Sequence, residues 1–369
     1  MRRTDQRQTD ARTRPGPVSP PSAESRLPPA GKSGATASSG DVRIGPIAAI
    51  PAVLAEMGAK PSQAFARTGV RLRDFRNPES RVSFESLGHL LVKCAALTRC
   101  DHFGLLVGER FDMTGLGAVG ALMRNSATVG DALRALLRHL YLYDRGAAPL
   151  LLNSDSSTAL LGYSIYRRET RGAVQIYGAA IAIGLRILQA ICGTAWAPVR
   201  VQFAHERPRN LRAYRRVFGQ HLTFDAPVSG VVFAATWLQK PIPGADGEIR
   251  RTVEAAMQTA RIAGAIRFSD EVRSALPQLV LNGNASADEV SLLFGINQRT
   301  LRKRLAAENI NLHALVGEVR FELAAQLLKN THLPMAEIAA ALHYADPAVF
   351  SRAFRQWTNS SPLRWRKQQ

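Results

Sequence analysis

Two similar helical patterns near the end of the chain constrain its fold more than any other feature. In the first, Ser286 caps residues 287–294, Gly295 makes a turn, and Asn297 caps residues 298–308. Serine and asparagine side chains accept hydrogen bonds from the free N–H groups at a helix start, and glycine permits the left-handed backbone of a tight turn. This pattern predicts a helix-turn-helix unit.

The second pattern repeats the first with a turn that is one residue longer. Its first helix covers residues 335–343, its turn passes through residues 344–345, and Asp346 caps residues 347–357. Pro347 takes the first helical position, where a missing N–H costs nothing. The apolar residues predicted to pack the two pairs are Val290, Leu293, Ile296, Leu301 and Leu305 in the first and Ile338, Leu342, Tyr344, Phe350, Phe354 and Trp357 in the second.

A third helix with an apolar stripe is predicted between the two units, over residues 312–329. At 1.5 Å per residue it would be about 27 Å long. That length is close to the roughly 34 Å between successive major-groove faces of duplex DNA. We therefore predict an all-α C-terminal domain, in which a long helix presents both units to one side of a duplex.

The second helix of each unit has a basic or small polar outer face. Arginine can donate two hydrogen bonds to guanine, and short side chains can contact thymine methyl groups or phosphates. A solvated basic face on an ordinary helical bundle is the alternative, but two such helices with matched cores favour DNA recognition. The outward residues are Gln298, Arg299, Arg302 and Lys303 in the first unit and Ala348, Ser351, Arg352 and Arg355 in the second.

The preceding part of the chain combines helices and strands without a βαβ repeat. Residues 45–145 are predicted to be helical, and one helix begins after Ser83 with Leu87 and Leu97 on its apolar stripe. The expected fold class is α+β, with helices and a small, mostly antiparallel sheet. The later strands are predicted at residues 149–153, 158–166, 199–204, 222–224 and 230–234, with helices at 171–192 and 209–218.

Composition suggests where the domains begin and end. Residues 1–40 are rich in Pro, Ser and Gly and poor in large apolar side chains, so we predict a disordered tail. Residues 241–247, PIPGADG, mark a boundary. We predict an effector-sensing and dimerisation domain at 45–246, a linker at 247–266 and a DNA-binding domain at 267–369.

The formal net charge of +19 suits a polyanionic partner but does not locate the site that binds it. Residues 1–40 and residues 286–369 each have a net charge of +4, so +11 falls between them. A nucleoid protein without sequence specificity is an alternative within the DNA-binding class. Such a protein would need neither two matched recognition helices nor a large first domain.

The chain lacks the constellations expected of an enzyme or a metal protein. No GxGxxG or Walker-type loop follows a predicted strand, which leaves nucleotide binding without support. Cys94, Cys100 and Cys192 form no CxxC pair, so we interpret them as reduced, buried thiols. His205 and Glu206 are interpreted as a charged strand end rather than a catalytic pair. We predict no enzyme activity, no metal site and no cofactor.

The longest apolar stretch, residues 173–192, is borderline for a membrane span. Arg186 and Gln189 interrupt it, so a buried helix is the better interpretation. Arg2 and Arg3 resemble a twin-arginine start, but no apolar segment follows them. We expect a cytoplasmic protein without a membrane partner.

Residues 287–366 resemble the AraC/XylS family of bacterial transcription regulators. The resemblance rests on RTLRKRL, on the spacing of Arg320, Ala324, Leu327 and Leu328, and on AEIAAALHYADPAVFSRAFRQWTNSSPLRWR. His343 stands where the family usually has the glycine of the second turn. The resemblance implies sequence-specific binding to double-stranded promoter DNA, with base contacts from Arg299, Arg302, Lys303, Ala348, Ser351 and Arg352 and phosphate contacts from Gln298, Arg355 and Arg364.

The N-terminal part resembles the arabinose-binding-like regulatory domain of one AraC subgroup. The matching segments are residues 199–227, VRVQFAHERPRNLRAYRRVFGQHLTFDAP, and residues 231–246, VVFAATWLQKPIPGAD. This resemblance implies control by a small organic effector and a homodimer, with RNA polymerase as a further potential partner. It does not identify the effector, and the sequence leaves activation and repression both open.

A pocket is predicted near the strands at residues 158–166 and 199–204 and the helix from Arg171. Arg167, Arg168, Arg171 and Arg186 suggest a ligand with a carboxylate, because guanidinium groups match carboxylate geometry. A solvated helix start and surface face is the alternative explanation for the same arginines.

Overall fold

A computed structural model of the chain describes residues 41–140, 143–144, 146–153, 157–165, 170–262, 267–331 and 333–368. The tail predicted for residues 1–40 lies outside the described residues. Arg167 and Arg168, two of the arginines predicted to face an effector, also lie outside them. We call residues 41–262 the N-terminal domain and residues 267–368 the C-terminal domain.

The N-terminal domain packs helices against a small sheet. Its helices are α1 Ile50–Glu56, α2 Pro61–Phe65, α3 Phe84–Thr98, α4 Phe103–Glu109, α5 Gly117–Arg124, α6 Val129–His139, α7 Ala173–Cys192, α8 Arg212–Phe218 and α9 Gly247–Ile262. Its strands are β1 Asp41–Arg43, β2 Arg81–Ser83, β3 Ala147–Asn153, β4 Thr158–Ile165, β5 Arg200–Gln202, β6 Leu222–Thr223 and β7 Ser229–Ala234. Short 3-10 helices occupy Gly45–Ile47, Leu72–Arg76, Met113–Leu116 and Ala235–Gln239.

The larger sheet has the strand order β3-β4-β7-β5-β6 in the part of the chain that is described. Its pairs are antiparallel except for β5 and β6, which run parallel. β1 and β2 form a separate antiparallel pair. The predicted α+β class with a mostly antiparallel sheet is confirmed.

Local signals predicted several helix starts correctly. The Ser83 hydroxyl accepts a hydrogen bond from the Ser86 N–H at 3.1 Å, which caps α3. Leu87 is buried on that helix, as predicted. The expectation for Leu97 was wrong, because this residue lies in the last turn of α3 and is 42% exposed.

Helix α7 is the central helix of the N-terminal domain. It is long and apolar enough to cross a membrane, but more than half of it is buried inside the domain. It packs against α4, where a side chain on Gly104 or Gly108 would overlap the backbone oxygen of Gln175 or Ala179. The interpretation of this stretch as a buried helix is confirmed.

The C-terminal domain is helical throughout its described residues. Its helices are α10 Phe268–Leu281, α11 Ala287–Phe294, α12 Gln298–Ala307, α13 Leu312–Asn330, α14 Met335–Ala341, α15 Pro347–Thr358 and α16 Pro362–Arg366. A single apolar cluster joins them, with Leu301, Leu305, Phe350 and Phe354 among its fully buried members. At 1.5 Å per residue the 19 residues of α13 are about 28 Å long.

The segment predicted as a linker is partly helical. Residues 247–262 form α9, whose Val253 and Met257 pack against the core of the N-terminal domain. Residues 263–266, which complete the predicted linker, lie outside the described residues. The position of the domain boundary therefore stays a prediction.

Candidate nucleic-acid interface and ligand cavity

The first helix pair, α11 and α12, has the capping that the sequence predicted. The Ser286 hydroxyl accepts from the Glu289 N–H at 3.2 Å, and the Asn297 side chain accepts from the Thr300 N–H at 2.8 Å. Gly295 ends α11 with φ of 63°, the left-handed region in which glycine is unstrained. These contacts fix the direction in which α12 leaves the turn.

In the second pair, α14 and α15, Asp346 caps the start of α15. Its carboxylate accepts hydrogen bonds from the N–H groups of Ala348 at 2.7 Å and Val349 at 2.8 Å. His343 takes the left-handed conformation with φ of 55°, which costs a non-glycine residue about 1–2 kcal/mol. Its Nε2 atom lies 2.8 Å from the Leu281 carbonyl oxygen at the end of α10. This contact offsets the strain and joins the second turn to α10.

Most of the predicted base-contacting side chains are exposed in the structure. On α12, Arg299, Arg302 and Lys303 face solvent, opposite the buried leucines. On α15, Ala348 and Arg352 are exposed, whereas Ser351 is half-buried. The predicted phosphate-contacting residues Arg355 and Arg364 are also exposed, and Gln298 is half-buried.

Three polar side chains meet at the start of α12. Gln298 donates a hydrogen bond to the Asp288 carboxylate and accepts one from the Arg302 guanidinium at 3.1 Å. Gln298 therefore holds Arg302 toward the helix start. The role of Asp288 was not predicted, because its contact with Gln298 depends on how α11 folds back on α12.

Glu308 ties the end of α12 to the start of α10, a contact that the sequence pattern did not reveal. Its carboxylate accepts from the N–H groups of Phe268 at 2.7 Å and Ser269 at 2.9 Å. Burial by itself would raise the pKa of Glu308, but the hydrogen bonds from Ser269 and Phe268, with the charge of Arg267, outweigh it and lower that pKa. Its carboxylate is thus stabilised as an anion at a helix N-terminus.

An ion triad fixes α10 on the connecting helix α13. The Arg273 guanidinium contacts Glu318 at 2.6 Å and also Glu322, one turn further along. Burial would lower the pKa of Arg273, but the two carboxylates reverse that effect and raise it. These contacts hold α10 and α13 against each other.

A cavity of about 90 Å³ lies inside the N-terminal domain. A single water needs about 10–15 Å³ measured in the same way, so the cavity holds several times the space of one water. β4 and α7, where a pocket was predicted, form two of its walls, whereas β5 contributes none of the described lining residues. The lining includes the aliphatic residues Leu87, Leu91, Leu116, Leu136, Leu161 and Ile187.

The polar end of the cavity consists of Tyr143, Asp144 and Tyr163. The Asp144 carboxylate accepts from the Gly146 N–H at 2.8 Å and from the Tyr163 hydroxyl. Burial raises the pKa of Asp144 to about 6, although the hydrogen bonds from Tyr163, Gly146 and Ala147 oppose that shift. Asp144 is the one acidic or basic side chain among the described lining residues.

The arginines predicted to face an effector do not line this cavity where they are described. Arg171 and Arg186 are exposed, and Arg186 bonds to Gln189 at 3.2 Å on the outer side of α7. The surface interpretation of these two residues is therefore the correct one.

The remaining candidate polar residues serve packing. His205 is buried in an aromatic cluster with Phe203 and Tyr214, and burial lowers its pKa, so the expectation of a charged strand end was wrong for this residue. All three cysteines are buried, and burial raises the pKa values of Cys94 and Cys192 to about 12. Such thiols are protonated at neutral pH and are poor nucleophiles.

The fold and the capped, basic outer helix of α11–α12 define a helix-turn-helix transcription regulator with a separate α+β domain. Residues 58–242 match the family described as the N-terminal arabinose-binding domain of AraC transcription regulators, and residues 291–368 match a helix-turn-helix domain family. The chain belongs to the AraC family of transcription regulators.

Relatives of similar length are of the same class. VirS, an HTH-type transcriptional regulator of Mycobacterium tuberculosis, is 26% identical over 318 residues, which cover 85% of this chain and 93% of VirS. The ornithine utilization regulator of Pseudomonas aeruginosa is 26% identical over 320 residues, with the same coverage of 85% and 93%. The crystal structure of the transcriptional regulator CdpR from Pseudomonas aeruginosa aligns with a TM-score of 0.43 and 21% identity, over 86% of this chain and 96% of CdpR. The protein is thus a DNA-binding transcription regulator and not an enzyme.

Proposed function

We propose that both helix pairs bind promoter DNA, with α12 and α15 in successive major grooves on one side of the duplex. The observation that carries this proposal is the pair of capped outer helices with exposed basic side chains, joined by a helix about 28 Å long. Successive major-groove faces are roughly 34 Å apart, a distance that α13 and the two flanking turns can bridge.

Within this proposal, the exposed side chains divide into two groups. Arg299, Arg302 and Lys303 on α12 and Ala348, Ser351 and Arg352 on α15 read base edges. Arg355, Arg364 and Gln298 contact phosphates, which fix the position of the protein without specifying sequence. In the free protein, Gln298 also orients Arg302.

The N-terminal domain is proposed to bind a small organic effector and to mediate a homodimer in the cytoplasm. The cavity supports effector binding, because its space exceeds that of a single water several-fold and its lining is mostly aliphatic. The name of one relative, the ornithine utilization regulator, links that protein to the use of a small metabolite. RNA polymerase is a further proposed partner of the DNA-bound protein.

Selection of binding sites from a library of random-sequence DNA duplexes tests sequence-specific binding. The full chain should enrich one defined site and bind it at least about 10³-fold more tightly than random duplex at the same salt concentration. The segment 267–369 should enrich the same site, because the residues proposed to touch DNA all lie within it. Equal affinity for selected and random duplexes would instead indicate a nucleoid protein without sequence specificity.

A further inference from the structure

The cavity of the N-terminal domain combines an aliphatic lining with one buried acidic group. Asp144 is 7% exposed, and its carboxylate accepts hydrogen bonds from the Tyr163 hydroxyl and from the N–H groups of Gly146 and Ala147. None of these donors carries a positive charge. A carboxylate that loses its hydration in apolar surroundings is destabilised, and a cation beside it offsets that cost more fully than neutral donors do. The polar end of the cavity therefore favours a positive charge.

This arrangement discriminates among the head groups that a ligand could carry. An ammonium group can donate hydrogen bonds to the Asp144 carboxylate and neutralise it at the same time. A carboxylate ligand would meet a like charge, and no Arg, Lys or His is among the described lining residues to receive it. A hydroxyl could donate one hydrogen bond but would leave the charge uncompensated.

Resting on the effector control proposed above, we infer that the cavity binds a small apolar amine, with its ammonium group on Asp144. The hydrocarbon part lies among Leu87, Leu136 and Leu161. The available volume limits this part to about one ring or a short chain.

The polar end of the cavity is also connected to the C-terminal domain. Tyr163, which donates to Asp144, packs edge-to-face on Tyr177 with ring centroids 6.3 Å apart. The Tyr177 hydroxyl and the Ser164 hydroxyl lie 3.5 Å and 3.4 Å from Gln326 Oε1 on α13. An ammonium group on Asp144 competes with Tyr163 for the carboxylate, so ligand binding perturbs the side chains that touch the connecting helix.

The test compares three ligands that share one ring and differ in the head group: benzylamine, benzyl alcohol and benzoate. Their binding to the full chain at pH 7.5 is measured by titration calorimetry without DNA. Benzylamine should bind with a dissociation constant on the order of millimolar, as suits a ligand with few non-hydrogen atoms. Benzyl alcohol should bind at least about tenfold more weakly, and benzoate should show no binding.

Two variants assign the binding to this cavity. Asp144→Asn should lower the affinity for benzylamine at least about tenfold, so that benzylamine no longer binds more tightly than benzyl alcohol. Asp101→Asn, the same change at an exposed position, should leave the affinity for benzylamine unchanged. Gly184→Leu should abolish binding while the protein still folds. Gly184 lines the cavity, and a Cβ atom there would approach no closer than 3.8 Å to Leu161.

Benzoate or benzyl alcohol binding as tightly as benzylamine would overturn the inference, as would benzylamine binding that survives Gly184→Leu. The affinity for the selected duplex is then measured by fluorescence anisotropy with and without benzylamine. An Asp144-dependent benzylamine complex that leaves DNA affinity unchanged would uphold the ligand class and refute effector control. Absence of any benzylamine binding would refute the ligand class and leave the proposed DNA recognition intact.

Discussion

Arg352 and Arg355 lie three residues apart on the exposed side of α15, at different distances from the start of that helix. Residues near the N-terminus of a recognition helix reach base edges, and later residues lie beside the phosphate backbone. Arg352 follows Ala348 by one turn and is the first arginine of the helix. We therefore expect Arg352 to read a base and Arg355 to bind a phosphate.

Alanine substitution should separate these two roles. Arg352→Ala should cost about 1–3 kcal/mol at the selected site and relax the preference at one base pair. Arg355→Ala should weaken selected and random duplexes alike and reduce the slope of log affinity against log salt by about one unit. Equal losses on both duplexes for the two variants would show that the division between reading and positioning residues is wrong.

The exposed residues of the candidate interface could be predicted from sequence because helical periodicity is a local property. Once Leu301, Leu305, Phe350 and Phe354 are assigned to the core, helical periodicity places Arg302, Lys303 and Arg352 on the opposite, outer face. The hydrogen bond from Gln298 to Asp288 could not be predicted in this way. It depends on the angle between two helices, which no spacing within either helix encodes.

Among the elements, α10 depends on a residue outside itself for its N-terminal cap. Arg267, which precedes α10, supplies no side-chain cap, and the carboxylate of Glu308 accepts the first N–H groups of the helix instead. The pKa of Glu308 is lowered in the folded state, so the unfolded chain binds more protons in acid. The stabilisation is thus fully present above the unfolded pKa of about 4.3 and is lost as the pH falls through the folded pKa.

Glu308→Gln should lower the free energy of unfolding of the 267–369 segment by about 1 kcal/mol at pH 7. Chemical denaturation measures this difference, which should shrink as the pH falls below about 4 because Glu308 itself becomes neutral. Glu337→Gln is the matched control, since Glu337 is an exposed residue in the first turn of α14. A cost for Glu308→Gln that is independent of pH, or equal to that of the control, would contradict the assigned role.

The longer helices and strands could be predicted from sequence, whereas the shortest elements could not. The strands predicted at residues 158–166 and 230–234 correspond to β4 and β7, and a long apolar stretch indicated α7. The region from residue 45 to 145 was predicted to be helical, so β2 and the short 3-10 helices within it were missed. β2 has three residues and is a strand only because it pairs with β1, forty residues earlier. Such elements are determined by tertiary contacts rather than by local preference.

For the molecule as a whole, hydrogen bonds join the two domains. The Gln278 side chain on α10 donates to the Leu151 carbonyl oxygen and accepts from the Leu151 N–H, in the manner of a neighbouring strand. It thereby satisfies the edge of β3, an outer strand of the larger sheet. Gln326 on α13 makes the second polar contact, with Ser164 and Tyr177. Gln278 and Gln326 lie on α10 and α13, which pack against the two helix pairs. A change in the N-terminal domain can therefore alter the positions of α12 and α15.

We propose that one chain uses both helix pairs on DNA, and hydroxyl-radical footprinting on the selected site is the decisive test, at concentrations where one chain is bound. We expect two protected segments about 10 base pairs apart on the same side of the duplex. When a dimer binds, this pair of unlike segments should be repeated in direct orientation. Protection of a single major-groove segment per chain would contradict this proposal.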